Sequence, residues 1–360
     1  MELLRFEEAY AERIWGGEKV RSMLKKAAPP EKTIGEVWLV SDHPQHESVV
    51  ADGPNRGRTL HELLEAHGPK LLGAHARATV FGRFPLLLKL IDAGQMLSVQ
   101  VHPDDDAARR LHEPDVGKTE MWHVLESDPS STLICGLDPG VGREAFARGI
   151  GEGTLEDLMT SFPAPPGTTV FVPAGTVHAI GSGILLAEIQ QNSDLTYRVY
   201  DWNRVDNEGQ PRALHVDKAL AVTHFGSLHG GPGRPLPRPV SGAECLVLAA
   251  CRYFAAERFR LSGAFSRALS GDSFHLLLST EGALSVCAGE TGYELGRGES
   301  VLVPGSLTSY RVEGEGAFLD YYVPELKRDI IAPLVEAGHS HEAIGRLGGV
   351  SDSNYLLAVM

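Results

Sequence analysis

Cysteine is scarce in this chain. Its 360 residues include four, Cys135, Cys245, Cys251 and Cys287, scattered and with no Cys-x-x-Cys pair. That spacing argues against zinc thiolates and disulfides, so the thiols are expected to be buried or idle in a reducing compartment. Positive charge is also short: 33 Lys and Arg stand against 47 Asp and Glu, a formal net charge of -14. A sequence-independent nucleic-acid binder needs a basic face, so no nucleic-acid partner is expected. A small anionic substrate is still compatible, because a few Arg and Lys focused in a pocket outweigh the global charge. No apolar run is long enough to span a bilayer. The start, Met1-Glu-Leu-Leu-Arg-Phe-Glu-Glu, lacks the basic beginning and apolar core of a signal peptide. The expectation is a cytoplasmic protein with no membrane partner.

What is present is ordinary globular material, 42% apolar and 22% charged. The length exceeds what one core usually supports, which predicts two domains. Residues 226–240 (GSLHGGPGRPLPRPV) are rich in Gly and Pro and read as a linker between domains at 1–225 and 241–326. In the second domain, apolar stretches at 245–254, 272–279, 283–287, 300–303 and 317–323 alternate with glycine turns, the rhythm of a β-sandwich or barrel. Residues 327–360 switch to helical spacing, and residues 138–165 read as a helical insertion closed by prolines. Thr59 begins a helix as N-cap, with Glu62 as its capping-box partner. Residues 84–91 (FPLLLKLI) are nearly continuously apolar, like a strand buried on both faces.

The chemistry concentrates in Gln95-Met-Leu-Ser-Val-Gln-Val-His-Pro103 and Gly117-Lys-Thr-Glu-Met-Trp-His123. Residues two apart in a strand share a face. Ser98, Gln100 and His102 therefore look out together, as do Lys118, Glu120 and Trp122, whereas His123 falls on the opposite face from Glu120. A third segment, residues 167–178 (GTTVFVPAGTVH), delivers His178 after a turn. Two imidazoles, a carboxylate and an amide oxygen suit Zn²⁺ with one position open, a catalytic arrangement. A buried carboxylate inside a strand needs a partner, and a cation supplies one. Asp104, Asp105 and Asp106 read as a solvated helix start. On the strand at 34–40, Glu36 and Trp38 share a face that could flank a sugar, with a half-buried strand the plainer alternative.

Gly167-x5-Pro173-x-Gly175-x2-His178 is similar to the second cupin motif. LSVQVHPDD, GKTEMWHV, VPAGTVHAIG and EIQQNSDLTYRVYDW, with WGG, GEVWLVSDH and FPLLLKLIDAGQ upstream, resemble the short bacterial form of type I phosphomannose isomerase over roughly residues 1–325. The resemblance implies a mainly β chain of two cupin (jelly-roll) domains, with a small helical insertion and a helical tail at 327–360. It implies one Zn²⁺ per chain on Gln100, His102, Glu120 and His178, and interconversion of mannose 6-phosphate and fructose 6-phosphate. The family's active-site lysine and arginine fall on Lys118 and Arg198, its acidic pair on Glu188 and Asp194, and its phosphate-contacting serine on Ser98. Trp15 and Glu36 complete the implied substrate-binding set. A Lewis acid, a base and cations for phosphate and oxyanion are what an enediol(ate) proton transfer requires.

The second cupin departs from a metal-binding pattern: Ser309 and Tyr310 stand about where a histidine would, so it is expected to be metal-free. The tail lies outside the short-form pattern; it reads as a packing helix pair before a dimerisation element or a small partner-binding module, and leaves monomer or homodimer open. Three other readings stay open: an isomerase of another or unphosphorylated sugar, a non-catalytic sugar-binding cupin, and an Fe²⁺ oxygenase, which Gln100 and the Lys/Arg pair disfavour.

Overall fold

The computed structural model describes residues 1–205, 209–226, 230–349 and 356–360. Residues 227–229 of the expected linker and 350–355 of the expected tail lie outside that set. The fold is mainly β, and the strand Leu86–Ala93 shows how it is layered. All eight of its residues are buried. Leu86, Leu88 and Leu90 point into a cluster shared with Phe274, Leu276 and Leu278 of the C-terminal half, while Ile91 and Ala93 point the other way. The run is apolar because both faces are covered, one by the neighbouring β-unit and one by the strand's own sandwich.

That sandwich has two antiparallel sheets. One orders Ala9–Gly17, Ile34–Val40, Leu86–Ala93, Ile184–Gln191, Glu120–Ser127 and Thr169–Val172; the other orders Tyr197–Tyr200, Val99–Val101, His178–Ile180, Thr132–Leu137 and Met159–Pro163. Trp122, Val124, Val170 and Ile184 of the first meet Leu133, Cys135 and Ile180 of the second across the interior. Phe146, Leu155, Ala219 and Val222 cover the back of the second sheet, packing on Val99, Val101, Ile134 and Val199. A seven-stranded antiparallel sheet forms the C-terminal unit, from Leu236–Val240 through Ser309–Tyr322. Phe84 and Phe274, with ring centroids 4.3 Å apart, lie where the two units meet.

The structure differs from the sequence expectation in three places. Within the 138–165 insertion, Arg143–Glu152 is helical, but Met159–Pro163 is a strand paired with Thr132–Leu137. An available sheet edge overrides local propensity there. Within the 226–240 linker, Leu236–Val240 is an edge strand. Pro237 turns its carbonyl outward to accept from His339 Nε2 at 2.7 Å, so its missing N–H costs the ladder nothing. In the C-terminal unit, Ala255–Ala268, His275–Ala288 and Ser309–Tyr322 each run 14 residues through glycines that the sequence suggested as turns. Gly263 faces Gly314 and Gly282 faces Gly316 across the ladders, so these glycines bend long strands rather than end them.

The tail forms short helices, Ala332–Glu336 and His341–Gly345, after a wide turn at Lys327–Ile331. Ile330, Leu334, Ile344 and Leu347 bury against Val247, Ala250 and Tyr322. Among the described residues, no helix is long and apolar enough to cross a membrane. Cys135, Cys245 and Cys251 are buried, and burial pushes their thiols up to about 12; Cys287 is exposed.

The capping box at the helix Leu60–His67 is formed: Thr59 Oγ1 accepts from Glu62 N at 3.1 Å, and Thr59 N donates to Glu62 Oε2 at 2.9 Å. Thr59→Ala should therefore cost about 1 kcal/mol. Urea unfolding measures this, and an unchanged midpoint would show the cap to be energetically idle.

Candidate active site

The site lies between the two sheets of the N-terminal sandwich, and strand register assembles it. In the smaller sheet, Gln100 is opposite Arg198 on one side and His178 on the other. In the larger sheet, Trp122 is opposite Glu188, and Glu188 is opposite Lys89. Each row faces inward because strand side chains alternate, and the outward positions carry apolar residues.

His102, Glu120 and His178 converge from the two sheets, each buried, with ligand atoms all within 4.8 Å of one another. His102 Nδ1 is 2.6 Å from Leu195 O and His178 Nδ1 is 2.8 Å from Thr176 O. Those carbonyls take the Nδ1 protons, which leaves Nε2 unprotonated in both rings and fixes how the rings point, with His102 Nε2 accepting from Lys118 Nζ at 3.2 Å. The unprotonated nitrogens lie 3.5 Å and 3.4 Å from the two oxygens of Glu120. The amide of Gln100 lies 3.2 Å from His178 Nε2, and a half-turn of that amide brings its oxygen to the same place. Glu120 Oε1 is buried without a hydrogen-bond donor. Two unprotonated imidazole nitrogens and an unsatisfied carboxylate oxygen form a donor set that fits a divalent cation.

Charged neighbours continue from this cluster along the inner face. Lys118 pairs with Glu120 and lies 3.8 Å from Glu188 Oε1. Glu188 Oε2 also accepts from Trp122 Nε1 at 2.8 Å, and its Oε1 forms an ion pair with Lys89 Nζ at 3.2 Å. Lys89 lies 4.0 Å from Glu36, which accepts from Arg13 at 3.1 Å and from Trp38 Nε1 at 2.8 Å. Burial works to raise the Glu36 carboxyl, but Lys89 and Arg13 outweigh it and hold it down to about 2. Burial also works to raise Glu120, and Lys118 and His102 hold it well below the usual carboxylate range. For Lys89, burial pulls down, and Glu36 and Glu188 reverse the direction.

Arg198 stands at the cluster's side, half-buried, with Nε 3.3 Å from Ser98 Oγ and Nη1 donating to Ala213 O at 3.0 Å. Gln100, His102, Glu120, His178, Lys118 and Glu188 are thus brought together, with Ser98 and Arg198 beside them. One sequence candidate, Trp15, stands apart, whereas Asp194 is close enough to Lys89 for its charge to help raise that ammonium's pKa. Trp15 is 4% exposed and packs with Ile91 and Leu97 in the apolar interior. Asp194 donates its backbone N–H to Asp115 at 2.9 Å, and among the described residues no donor reaches its carboxylate. Sequence reasoning missed Lys89 and Arg13. The signal for Lys89 was a lone charge inside FPLLLKLI, which is costly to bury unless paired.

The C-terminal unit repeats the register with different residues. His275 is opposite Val303, just before Pro304, as Glu120 is opposite Val172, just before Pro173. Asp320 and Glu257 follow at the places of Glu188 and Lys89. Into this set Arg267 inserts its guanidinium, 2.6 Å from Glu257 and 2.7 Å from Asp320. Asp320 also takes the Tyr310 hydroxyl at 2.7 Å and His275 Nδ1 at 2.8 Å. Tyr310, which the sequence placed about where a metal histidine would be, is a hydrogen-bond donor within this cage.

A β-sandwich closing on a buried His/Glu/His cluster, followed by a seven-stranded β-unit that repeats its strand pairing, defines a two-domain cupin. Residues 3–120 match the family model for the type I phosphomannose isomerase catalytic domain, and residues 244–323 match that for the mannose-6-phosphate isomerase cupin domain. Mannose-6-phosphate isomerase ManA of Bacillus subtilis is 37% identical over 317 residues, 87% of this chain and 96% of that protein. The mannose-6-phosphate isomerase of Streptococcus mutans is 36% identical over 306 residues, 84% of this chain and 92% of its own. A crystal structure of the mannose 6-phosphate isomerase from Bacillus subtilis has a TM-score of 0.81 at 30% identity, covering 89% of this chain and 99% of that one. The chain belongs to the type I phosphomannose isomerase family and is an enzyme of that class.

Proposed function

We propose that this enzyme interconverts mannose 6-phosphate and fructose 6-phosphate by proton transfer through a cis-enediol(ate), with one Zn²⁺ held by Gln100, His102, Glu120 and His178. The observation that carries the reading is the convergence of two unprotonated imidazole nitrogens on a buried, unsatisfied Glu120 oxygen, with Lys118 and Arg198 alongside. The substrate is the one in the names of the relatives. An N/O donor set of this kind suits zinc, which when bound polarises the sugar oxygens as a Lewis acid.

The chain's own groups supply the rest. Arg198 and Ser98 offer a cation and a hydroxyl to an anionic group; guanidinium is suited to phosphate and to a developing oxyanion. Lys118 brings a second positive charge to the carbon being deprotonated. Glu188 is engaged by Trp122 and Lys89, which suits it to holding the lysines in place. Asp194, whose carboxylate no described donor engages, is the freer of the acidic pair to carry a proton between C1 and C2. Glu36 anchors the far end of the charged row.

The test is turnover of mannose 6-phosphate before and after chelation, with stoichiometric Zn²⁺ returned. Activity should disappear on chelation and come back with zinc. A folded, zinc-loaded protein that leaves mannose 6-phosphate untouched would overturn the substrate assignment and point to another sugar.

A further inference from the structure

Three aspartates follow His102-Pro103, and one of them behaves unlike the others. Asp104 caps the helix Asp105–Arg110, accepting from Ala107 N at 2.6 Å, and Asp106 is exposed and pairs with Arg109. Asp105 turns inward. Its Oδ1 accepts from Gly117 N at 2.9 Å and from Gln191 Nε2 at 3.0 Å, and its Oδ2 accepts from the Tyr253 hydroxyl at 2.8 Å. Gln191 Oε1 in turn accepts from Thr119 N at 2.9 Å. The two backbone N–H groups flanking Lys118 are therefore both tied to one carboxylate, directly or through one amide.

The packing at this point is tight. A Cβ on Gly117 would lie 2.5 Å from backbone atoms of Asp104 and Asp105, so only glycine lets the two segments touch. Lys118 N donates to Pro103 O at 3.0 Å, which ties the segment to the residue after His102. Thr119 Oγ1 accepts from Ala174 N at 3.4 Å, on the turn that leads to His178. Residues 117–119 precede the strand Glu120–Ser127 and have little ladder of their own, so these side-chain bonds do much of the holding. Tyr253 comes from the other unit, at the turn between Ala243–Ala250 and Ala255–Ala268, 148 residues from Asp105.

We propose that Tyr253, acting through Asp105 and Gln191, is a positioning residue by which the C-terminal cupin holds Lys118 and Glu120 in register with His102 and His178. The inference rests on the metal-dependent reading given above. It assigns the C-terminal cupin a part in the reaction besides its share of the core. Groups that orient metal ligands from outside typically change metal affinity or activity roughly 10- to 100-fold when removed.

Two substitutions test it in the full chain. Tyr253→Phe removes one hydroxyl and no volume; Asp105→Asn keeps the shape and weakens the acceptor. Three readouts are taken on each: zinc affinity by competition with a chromogenic chelator, kcat and KM separately, and amide exchange across residues 112–121 in the metal-free protein. Tyr253→Phe should speed exchange at Gly117–Thr119 and weaken zinc binding or kcat by roughly ten-fold with KM little changed, and Asp105→Asn should do more, within roughly 10- to 100-fold. If both variants keep wild-type zinc affinity, kcat and exchange, the proposal fails, whatever their melting temperatures. An effect of Asp105→Asn without one of Tyr253→Phe confines the link to the N-terminal unit and also overturns it. Should the wild type itself neither bind zinc nor turn over mannose 6-phosphate, the functional reading falls, and exchange in the metal-free protein still decides for or against the link.

Discussion

A Glu120→Ala protein will hold no stoichiometric zinc and will not turn over mannose 6-phosphate. Glu120 is the sole carboxylate in the convergent set and sits between the two imidazoles, 3.5 Å and 3.4 Å from their unprotonated nitrogens. Its removal leaves neutral ligands in a buried pocket beside Lys118, whose charge then repels a metal ion instead of being neutralised. The substitution has a second cost. Lys118 is 4% exposed and would keep only its 3.2 Å contact with His102 Nε2 and the 3.8 Å approach of Glu188, and stripping one partner from a buried ion pair typically costs about 3–5 kcal/mol. Glu120→Gln keeps the shape and an oxygen that can accept from Lys118 but removes the charge, so it should fold better than Glu120→Ala and still bind zinc more weakly than the wild type. Metal content by mass spectrometry after gel filtration, with circular dichroism as the folding control, reads the outcome. Stoichiometric zinc in folded Glu120→Ala would remove this residue from the shell.

Arg198→Ala has the opposite signature, with zinc retained and catalysis lost. Arg198 does not touch the histidine–glutamate cluster. It comes from the neighbouring edge strand, where Nε reaches Ser98 and Nη1 reaches a carbonyl. Burial and the nearby Arg212 pull its pKa below the usual arginine value, with Asp201 opposing, yet a guanidinium stays charged across the working range of an enzyme. Losing a fixed cation or donor aimed at developing negative charge costs about 3–4 kcal/mol, a factor of roughly 10²–10³ in kcat. Arg198→Lys should recover only part of this, because an ammonium cannot reproduce the bond to Ser98 and the fork geometry together. Steady-state kinetics on zinc-quantified protein checks it. Full activity in Arg198→Ala would exclude the residue from the mechanism.

The convergence of His102, Glu120 and His178 was legible because it depends on short-range periodicity. Alternation along Val99–Val101 puts Gln100 on the inner face, and His178 closes a turn whose Pro and Gly announce themselves. Lys118 and Glu120 were visible for the same reason. The identity of the interacting pairs was not. Lys89 looked like an interruption in a core strand, and only the register that sets it opposite Glu188 shows why the charge is tolerated there. Asp105 looked like the second of three solvated acids, since its partners Gly117, Gln191 and Tyr253 are distant in sequence and nothing local separates it from Asp104. Strand ends failed for a related reason: glycine marks a turn when chains are short and a bend when two long strands cross, and sequence alone does not distinguish Gly263 or Gly282 from a turn glycine. Trp15, which the resemblance put in the substrate-binding set, packs in the core.

The guanidinium of Arg267 has a consequence for how the molecule endures change in its surroundings. An ion held by side chains is in equilibrium with everything else that binds it, so it can be lost to a chelator or swapped for another ion. A charge on the end of the chain's own side group cannot be leached, diluted or exchanged. The half of the enzyme built around Arg267 should keep its shape whatever the metal supply, so a protein stripped of its ion waits as a half-finished mould that can be refilled, and starvation for metal becomes a pause in activity rather than a loss of protein.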